Sequence, residues 1–152
     1  MSSKLTDFSK LCVHTITTKP WDIETAIQKY SASGIKGITV WRQWLDNRHL
    51  ATIKSSISDA GLTVVSTCRG GFFPSTSTQK RQEAIDDNKL AIDEAEAIGA
   101  PLVVLVCGAD PGQSLDDSRK QIQDGIESCL EHAKAANVKL AIEPLHPMYA
   151  GD

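Results

Sequence analysis

Residues 95–107 read Ala95-Glu96-Ala97-Ile98-Gly99-Ala100-Pro101-Leu102-Val103-Val104-Leu105-Val106-Cys107. A helical run of small residues ends in a glycine, and an aliphatic run of β-formers begins three residues later. Glycine takes the left-handed conformation that closes a helix. A link this short from helix end to strand is the connection expected of a parallel α/β protein. The same signature recurs three times. Ala32-Ser33-Gly34 precedes Ile38-Thr39-Val40-Trp41, Asp59-Ala60-Gly61 precedes Thr63-Val64-Val65-Ser66, and Ala135-Ala136-Asn137 precedes Lys139-Leu140-Ala141-Ile142.

Working outward, the segments before each stop have helical period. Ile23, Ala26, Ile27 and Tyr30 share one face of the first, with Asp22 as its N-cap. Leu50, Ile53, Ile57 and Ala60 line the second; Ala84, Ile85, Ala91, Ile92, Ala95 and Ile98 the third. Leu115, Ile122, Ile126, Cys129, Ala133 and Ala136 line the fourth, where Ser114 and Asp117 resemble a capping box. The strands are short and nearly continuous in apolar residues: Leu11–Thr17, Gly37–Trp41, Thr63–Cys68, Leu102–Cys107 and Leu140–Pro144. Such runs suit strands covered on both faces, and strict β-α alternation implies a parallel sheet.

Two architectures satisfy this order. A doubly wound, flavodoxin-like sheet of five strands is complete at 152 residues. A (β/α)₈ TIM barrel takes about 250 residues, so this chain would supply roughly its first half, strand one through strand five. The last strand is followed by a Pro-containing loop and Asp152, with no helix to cover it. That favours the barrel, with residues 1–152 as the N-terminal part of a single domain. Half a barrel exposes two open sheet edges, so a C-terminal half-barrel or a second copy in a homo-oligomer is expected to cover them.

Composition narrows the function. With a formal charge of −3 and a pI near 5.8, the chain lacks the clustered cations that nucleic acid demands and any polybasic reason to sit on a membrane. No apolar run approaches a membrane span. The four cysteines, Cys12, Cys68, Cys107 and Cys129, show neither CxxC nor zinc-finger spacing, which reads as buried thiols in a reducing cytoplasm.

In either architecture chemistry gathers at the carboxyl ends of the strands. Glu143 is the sharpest candidate there, because a carboxylate ending an apolar strand is costly unless paired, hydrated or metal-bound. Alternation puts it on the face of Ala141, opposite Leu140 and Ile142, which would pack on helices. His14, after strand one, is either a substrate contact or a hydrogen-bonded interior histidine. Trp41 and Trp44, after strand two, either wall a sugar site or pack between strand and loop. Arg69-Gly70-Gly71 either offers a guanidinium and backbone N–H groups to an anionic or polyhydroxyl ligand or forms a turn. His146, in the loop past Glu143, is a further substrate-contact candidate. His49 and His132 fall on helices and read as surface residues. The loop Cys107-Gly108-Ala109-Asp110-Pro111-Gly112 is neither GxGxxG nor a P-loop, and no GxSxG elbow is present.

The segment Leu140-Ala141-Ile142-Glu143-Pro144-Leu145 resembles the xylose isomerase-like TIM barrel superfamily of sugar and sugar-phosphate isomerases and epimerases. Ala95-Glu96-Ala97-Ile98-Gly99-Ala100 and Ser58-Asp59-Ala60-Gly61-Leu62 are similar to it as well. The resemblance implies one divalent metal, Mn²⁺ or Mg²⁺, held by a glutamate ending strand five and by ligands on strands six to eight. Glu143 matches that first position as both metal ligand and catalytic carboxylate. The implied reaction moves a proton next to the carbonyl of a sugar or ketose-like substrate. Inosose-type dehydratases share the scaffold. The superfamily's zinc endonucleases carry histidines on earlier strands, whereas strand three here ends in Cys68-Arg69. The competing reading is a non-catalytic, flavodoxin-like binding domain.

Overall fold

The computed structural model describes residues 6–46 and 49–145. Five strands, β1 (Cys12–His14), β2 (Gly37–Trp41), β3 (Thr63–Gly71), β4 (Leu102–Val106) and β5 (Lys139–Ile142), alternate with α1 (Ile23–Ala32), α2 (Leu50–Asp59), α3 (Thr78–Ile98) and α4 (Leu115–Ala135). The helix stops are those the sequence marks. Gly99 closes α3 at φ 78°, and Asn137, just past α4, has φ 54°. Asp22 accepts a hydrogen bond from the Thr25 N–H at 2.8 Å. Ser114 accepts one from the Asp117 N–H at 3.1 Å and donates its own hydroxyl to the Asp117 carboxylate.

All neighbouring strands are parallel, in the order β1-β2-β3-β4-β5. This order removes the flavodoxin-like alternative, whose sheet reverses direction at a switch point and so carries helices on both faces. Right-handed crossovers that always advance the same way place every helix on one face, and α1 to α4 pack on one another in sequence. The result is the arrangement of half a (β/α)₈ barrel.

The two faces differ as that arrangement requires. Ile38, Val40, Val64, Val103 and Leu105 point under the helices and join Ile27, Ile57, Ala91, Ile92, Ala95 and Cys129 in one core. The opposite face carries Cys12, Thr39 and Ser66, joined by contacts of 3.4 Å (Cys12 Sγ to Thr39 Oγ1) and 2.8 Å (Thr39 Oγ1 to Ser66 Oγ).

Several boundaries differ from the sequence reading. β1 stops at His14, and residues Thr15–Thr18 form a 3₁₀ turn, because the Thr15 hydroxyl turns inward to accept the Trp41 N–H at 3.0 Å. β3 runs on through Arg69-Gly70-Gly71, where Gly70 and Gly71 pair with β4 past a register shift at Arg69 rather than forming a turn. Asn88, buried on α3, explains the extension. Its amide accepts from the Gly71 N–H at 2.7 Å and donates to the Gly71 carbonyl at 2.8 Å. A Cβ on Gly70 would lie 2.5 Å from Asn88 Oδ1, and one on Gly71 2.1 Å from the Val106 carbonyl oxygen. These two glycines therefore allow the backbone to approach α3 and β4. β5 ends at Ile142, whose side chain is 61% exposed instead of covered by a helix. Leu115, placed on the apolar face of α4 by its spacing, is also exposed.

Replacing Asn88 with Ala leaves two buried main-chain groups of Gly71 without partners, each costing about 1–3 kcal/mol. Urea unfolding of Asn88→Ala should show a loss of about 2–4 kcal/mol; a loss below about 0.5 kcal/mol, the usual range of surface substitutions, would show that β3 holds this course without the clamp.

Candidate functional site

The carboxyl ends of all five strands open onto one pocket of about 600 Å³. β1 contributes His14, β2 Trp41, β3 Cys68 and Arg69 with Phe72 just beyond, and β4 Val106 followed by Cys107, Gly108 and Ala109. Past β5 come Glu143 and Leu145. The Glu143 N–H donates to the Leu105 carbonyl at 2.9 Å, which continues the β4–β5 ladder one residue and fixes this backbone.

Four of the residues singled out from sequence are thus brought together: His14, Trp41, Arg69 and Glu143. The fifth, His146, lies outside the described residues. His14 and Trp41 form a unit. The indole Nε1–H donates to His14 Nδ1 at 3.2 Å. That bond requires a lone pair on Nδ1, so the neutral ring carries its proton on Nε2 and keeps that N–H for a ligand. Trp44 does not join the site. Its indole N–H donates to the Trp21 carbonyl at 2.8 Å, and it packs against the core.

Arg69 extends over the Phe72 ring at 4.5 Å and the Trp41 ring at 5.9 Å, measured from Cζ to the ring centroids. Past Arg69 the Gly71 N–H is bonded to Asn88 and the Phe72 N–H to the Val106 carbonyl at 3.0 Å, so neither is open to a ligand. Arg42, one residue past Trp41, has a different fate from Arg69. Its Nε lies 2.5 Å from Glu94, and its two terminal nitrogens lie 2.8 and 2.9 Å from Asp87. Burial works against its charge, but the bonds to Asp87 and Glu94 outweigh it and raise the pKa. Arg42 therefore ties the β2 end to α3 and is structural. His132 pairs with Asp93 on the helical surface at 2.6 Å, away from the pocket.

The rim is braced from behind. Asp110 accepts from the N–H groups of Gly112 at 2.7 Å and Thr76 at 3.0 Å. Those bonds hold its carboxyl below the ordinary aspartate value and join the loop after β4 to the loop after β3. Behind Phe72, Phe73 is buried against Gly125 of α4, where a Cβ would come within 2.2 Å of the ring.

Two thiols line the pocket, and both are poor nucleophiles. Burial pushes Cys68 up to about 11, with the Glu143 charge adding to the effect and Arg69 opposing it. Burial alone pushes Cys107 up to about 11. All four cysteines are free. Among the described residues no three His, Cys, Asp or Glu side chains converge on a point that could hold a metal ion, so Glu143 stands as a single carboxylate. Phe72, Val106, Cys107 and Leu145 were not selected from sequence as site residues. Their strand-end positions were the available signal, masked by their apolar character.

The site sits at the carboxyl end of a one-sided parallel sheet, as in (β/α)₈ enzymes. The family model for the xylose isomerase-like TIM barrel matches residues 27–151, and the chain belongs to that family. A protein of Sinorhizobium meliloti 1021 is 38% identical, with a TM-score of 0.88 over 96% of this chain and 54% of its own. D-psicose 3-epimerase of Clostridium cellulolyticum H10, solved with D-tagatose, shares 12% identity at a TM-score of 0.76, over 91% of this chain and 53% of its own. The IolI protein, solved with a zinc atom, shares 16% at 0.75, over 86% and 50%. The chain spans about half the length of each. No curated protein matches it significantly in sequence.

The raised thiol values predict slow alkylation. At pH 8 iodoacetamide should label Cys68 and Cys107 little in the folded protein, with labelling rising as the pH nears 11, read residue by residue by mass spectrometry. The protonated thiols favour the folded state, so their contribution is full below the free-cysteine value near 9 and is lost as pH rises towards 11. Fast labelling of both at pH 7 would contradict the desolvated pocket wall.

Proposed function

We propose that the barrel to which this chain contributes is a divalent-metal-dependent isomerase or epimerase. Its substrate is a sugar or ketose-like compound, and it moves a proton on the carbon next to a carbonyl. The observation that carries this reading is Glu143, anchored past β5 and opening onto the same pocket as His14, Trp41 and Arg69. The resemblance to a sugar epimerase and to a zinc-holding protein of the same fold supports it.

As a metal site the described residues are incomplete. Glu143 offers one oxygen ligand suited to Mn²⁺ or Mg²⁺, and the remaining ligands would come from outside the described residues. When bound, the metal would polarise the substrate carbonyl. The chain's own residues have roles that follow from their placement. The Glu143 carboxylate receives and returns the proton. His14 donates its Nε2–H to a substrate oxygen, held in that tautomer by Trp41. Trp41 offers flat apolar surface to the C–H face of a sugar. Cys68 and Cys107 stay protonated and take no nucleophilic part.

The sheet face away from the helices is half open, with Val65 at 39% exposure. The rest of a barrel or a partner copy would cover it. No helix among the described residues is long and apolar enough to cross a membrane; the free thiols suit a reducing compartment, and we place the enzyme in the cytoplasm.

In the assembled barrel, Glu143→Gln should lower turnover roughly 10²–10⁴-fold, the usual scale of a lost proton-transfer group. Exchange of the substrate C–H with deuterated solvent should fall in parallel. A chelator should abolish activity and Mn²⁺ or Mg²⁺ restore it. Undiminished exchange in Glu143→Gln would reject the assignment.

A further inference from the structure

We infer that the pocket is built for a substrate carrying a carboxylate, a sugar acid and not a neutral sugar, with Arg69 as the group that binds that carboxylate. The inference rests on the proposed isomerase reading for the carbonyl end of the substrate, but not for the carboxylate end.

Arginines in folded proteins find acceptors, and the described ones here do so, with one exception. Arg42 is held by Asp87 and Glu94. Arg81 donates to the Ser75 carbonyl at 2.6 Å and to Thr78 Oγ1 at 2.9 Å, and Arg119 lies 3.6 Å from Asp116. Among the described residues Arg69 has no acceptor within hydrogen-bond or ion-pair distance. It does have ring partners. Its Cζ lies over the Phe72 ring at 4.5 Å and over the Trp41 ring at 5.9 Å, contacts that hold a guanidinium without consuming its N–H groups.

The placement of Phe72 is a second observation. This residue has φ 56°, a left-handed conformation that costs a non-glycine side chain energy, and its ring is 48% exposed. That conformation sets the ring, the nearer of the two over which the guanidinium lies, against Arg69. Arg69 also makes no ion pair with Glu143, although both line the same pocket. Among the described residues the site therefore keeps a cation and a carboxylate unpaired at separate points, a pattern that matches a substrate with an anion at one end and reacting carbon at the other.

The form of the anion follows from what surrounds the guanidinium. Phosphate sites usually add backbone N–H groups of a helix start or nest to their cations. Here the two N–H groups that close the strand past Arg69, those of Gly71 and Phe72, are bonded internally, and Arg69 is the only Lys or Arg among the described pocket residues. A single planar fork matches the charge and the two coplanar oxygens of a carboxylate.

The test is isothermal titration calorimetry with three ligands that differ only at C6: D-fructuronate, D-fructose and D-fructose 6-phosphate. D-fructuronate should bind at least roughly 10-fold tighter than D-fructose, as expected of one charge-assisted bidentate pair. Arg69→Gln should reduce D-fructuronate to the affinity of D-fructose while changing D-fructose less than about twofold. Arg69→Lys, which keeps the charge and loses the fork, should fall between; it carries the comparison alone should Arg69→Gln not fold by circular dichroism. Three results would overturn the inference: no preference for D-fructuronate over D-fructose, tighter binding of the 6-phosphate than of D-fructuronate, or an unchanged preference in the Arg69 variants. Glu143→Gln separates the two proposals. It should lose proton exchange while keeping the preference for D-fructuronate over D-fructose, whatever happens to the absolute affinities, so undiminished exchange there would sink the isomerase reading and leave the carboxylate site standing.

Discussion

Each βα unit of this chain advances the sheet in the same direction, and that constraint governs where everything else can lie. Because β-α-β crossovers are right-handed, four consecutive advances put four helices on one side. Hydrophobic burial is concentrated between those helices and the outward residues of β2, β3 and β4. The other side of the sheet gains nothing from the helices, which is why Cys12, Thr39 and Ser66 are tolerated there as a hydrogen-bonded row. Thr67 shows the opposite case. Its hydroxyl sits on the helical side, fully buried and without a partner.

The β3 end is where fold and site are joined most tightly. Continuing β3 through Gly71 depends on a side-chain amide from α3 and on two residues without Cβ atoms. The same continuation delivers Arg69 and Phe72 to the pocket. Behind them, Gly125 gives Phe73 room to bury against α4, and Asp110 laces the two neighbouring loops together. The pocket wall is therefore not a free loop but an extension of the sheet. Its shape follows from packing rather than from any bound ligand.

Much of this was legible from sequence because it is periodic. Gly34, Gly61, Gly99 and Asn137 mark helix ends by a backbone requirement that no packing detail changes, and the apolar runs after them could only be strands. The choice between a half barrel and a doubly wound sheet was not periodic information; strand order decides it, and order is a long-range property. Strand ends were also obscure. Thr15 to Thr17 have strand propensity, yet the turn there is set by a hydrogen bond to Trp41, 26 residues away. Arg69-Gly70-Gly71 reads locally as a turn, and only Asn88 reveals it as strand. Among the site residues, Glu143 was legible because a carboxylate ending an apolar strand has few comfortable fates. Phe72 was not, because an apolar residue beside glycines carries no chemical signal until the cation above it is seen.

The contrast between Arg42 and Arg69 shows how two like charges near one pocket meet different partners. Arg42 follows β2 and Arg69 lies near the end of β3, and local sequence gives no reason to treat them differently. Asp87 and Glu94 lie seven residues apart, two turns of α3, so they present two carboxylates on one helical face. That face meets the β2 end and consumes Arg42. Arg69, one strand further on and facing the interior side, meets rings instead of carboxylates. A guanidinium stacked on rings is held in position but not neutralised. Among the described residues neither it nor Glu143 has an ion-pair partner. Position along one helical face, and not the residue type, decides which of the two guanidiniums is spent inside the fold.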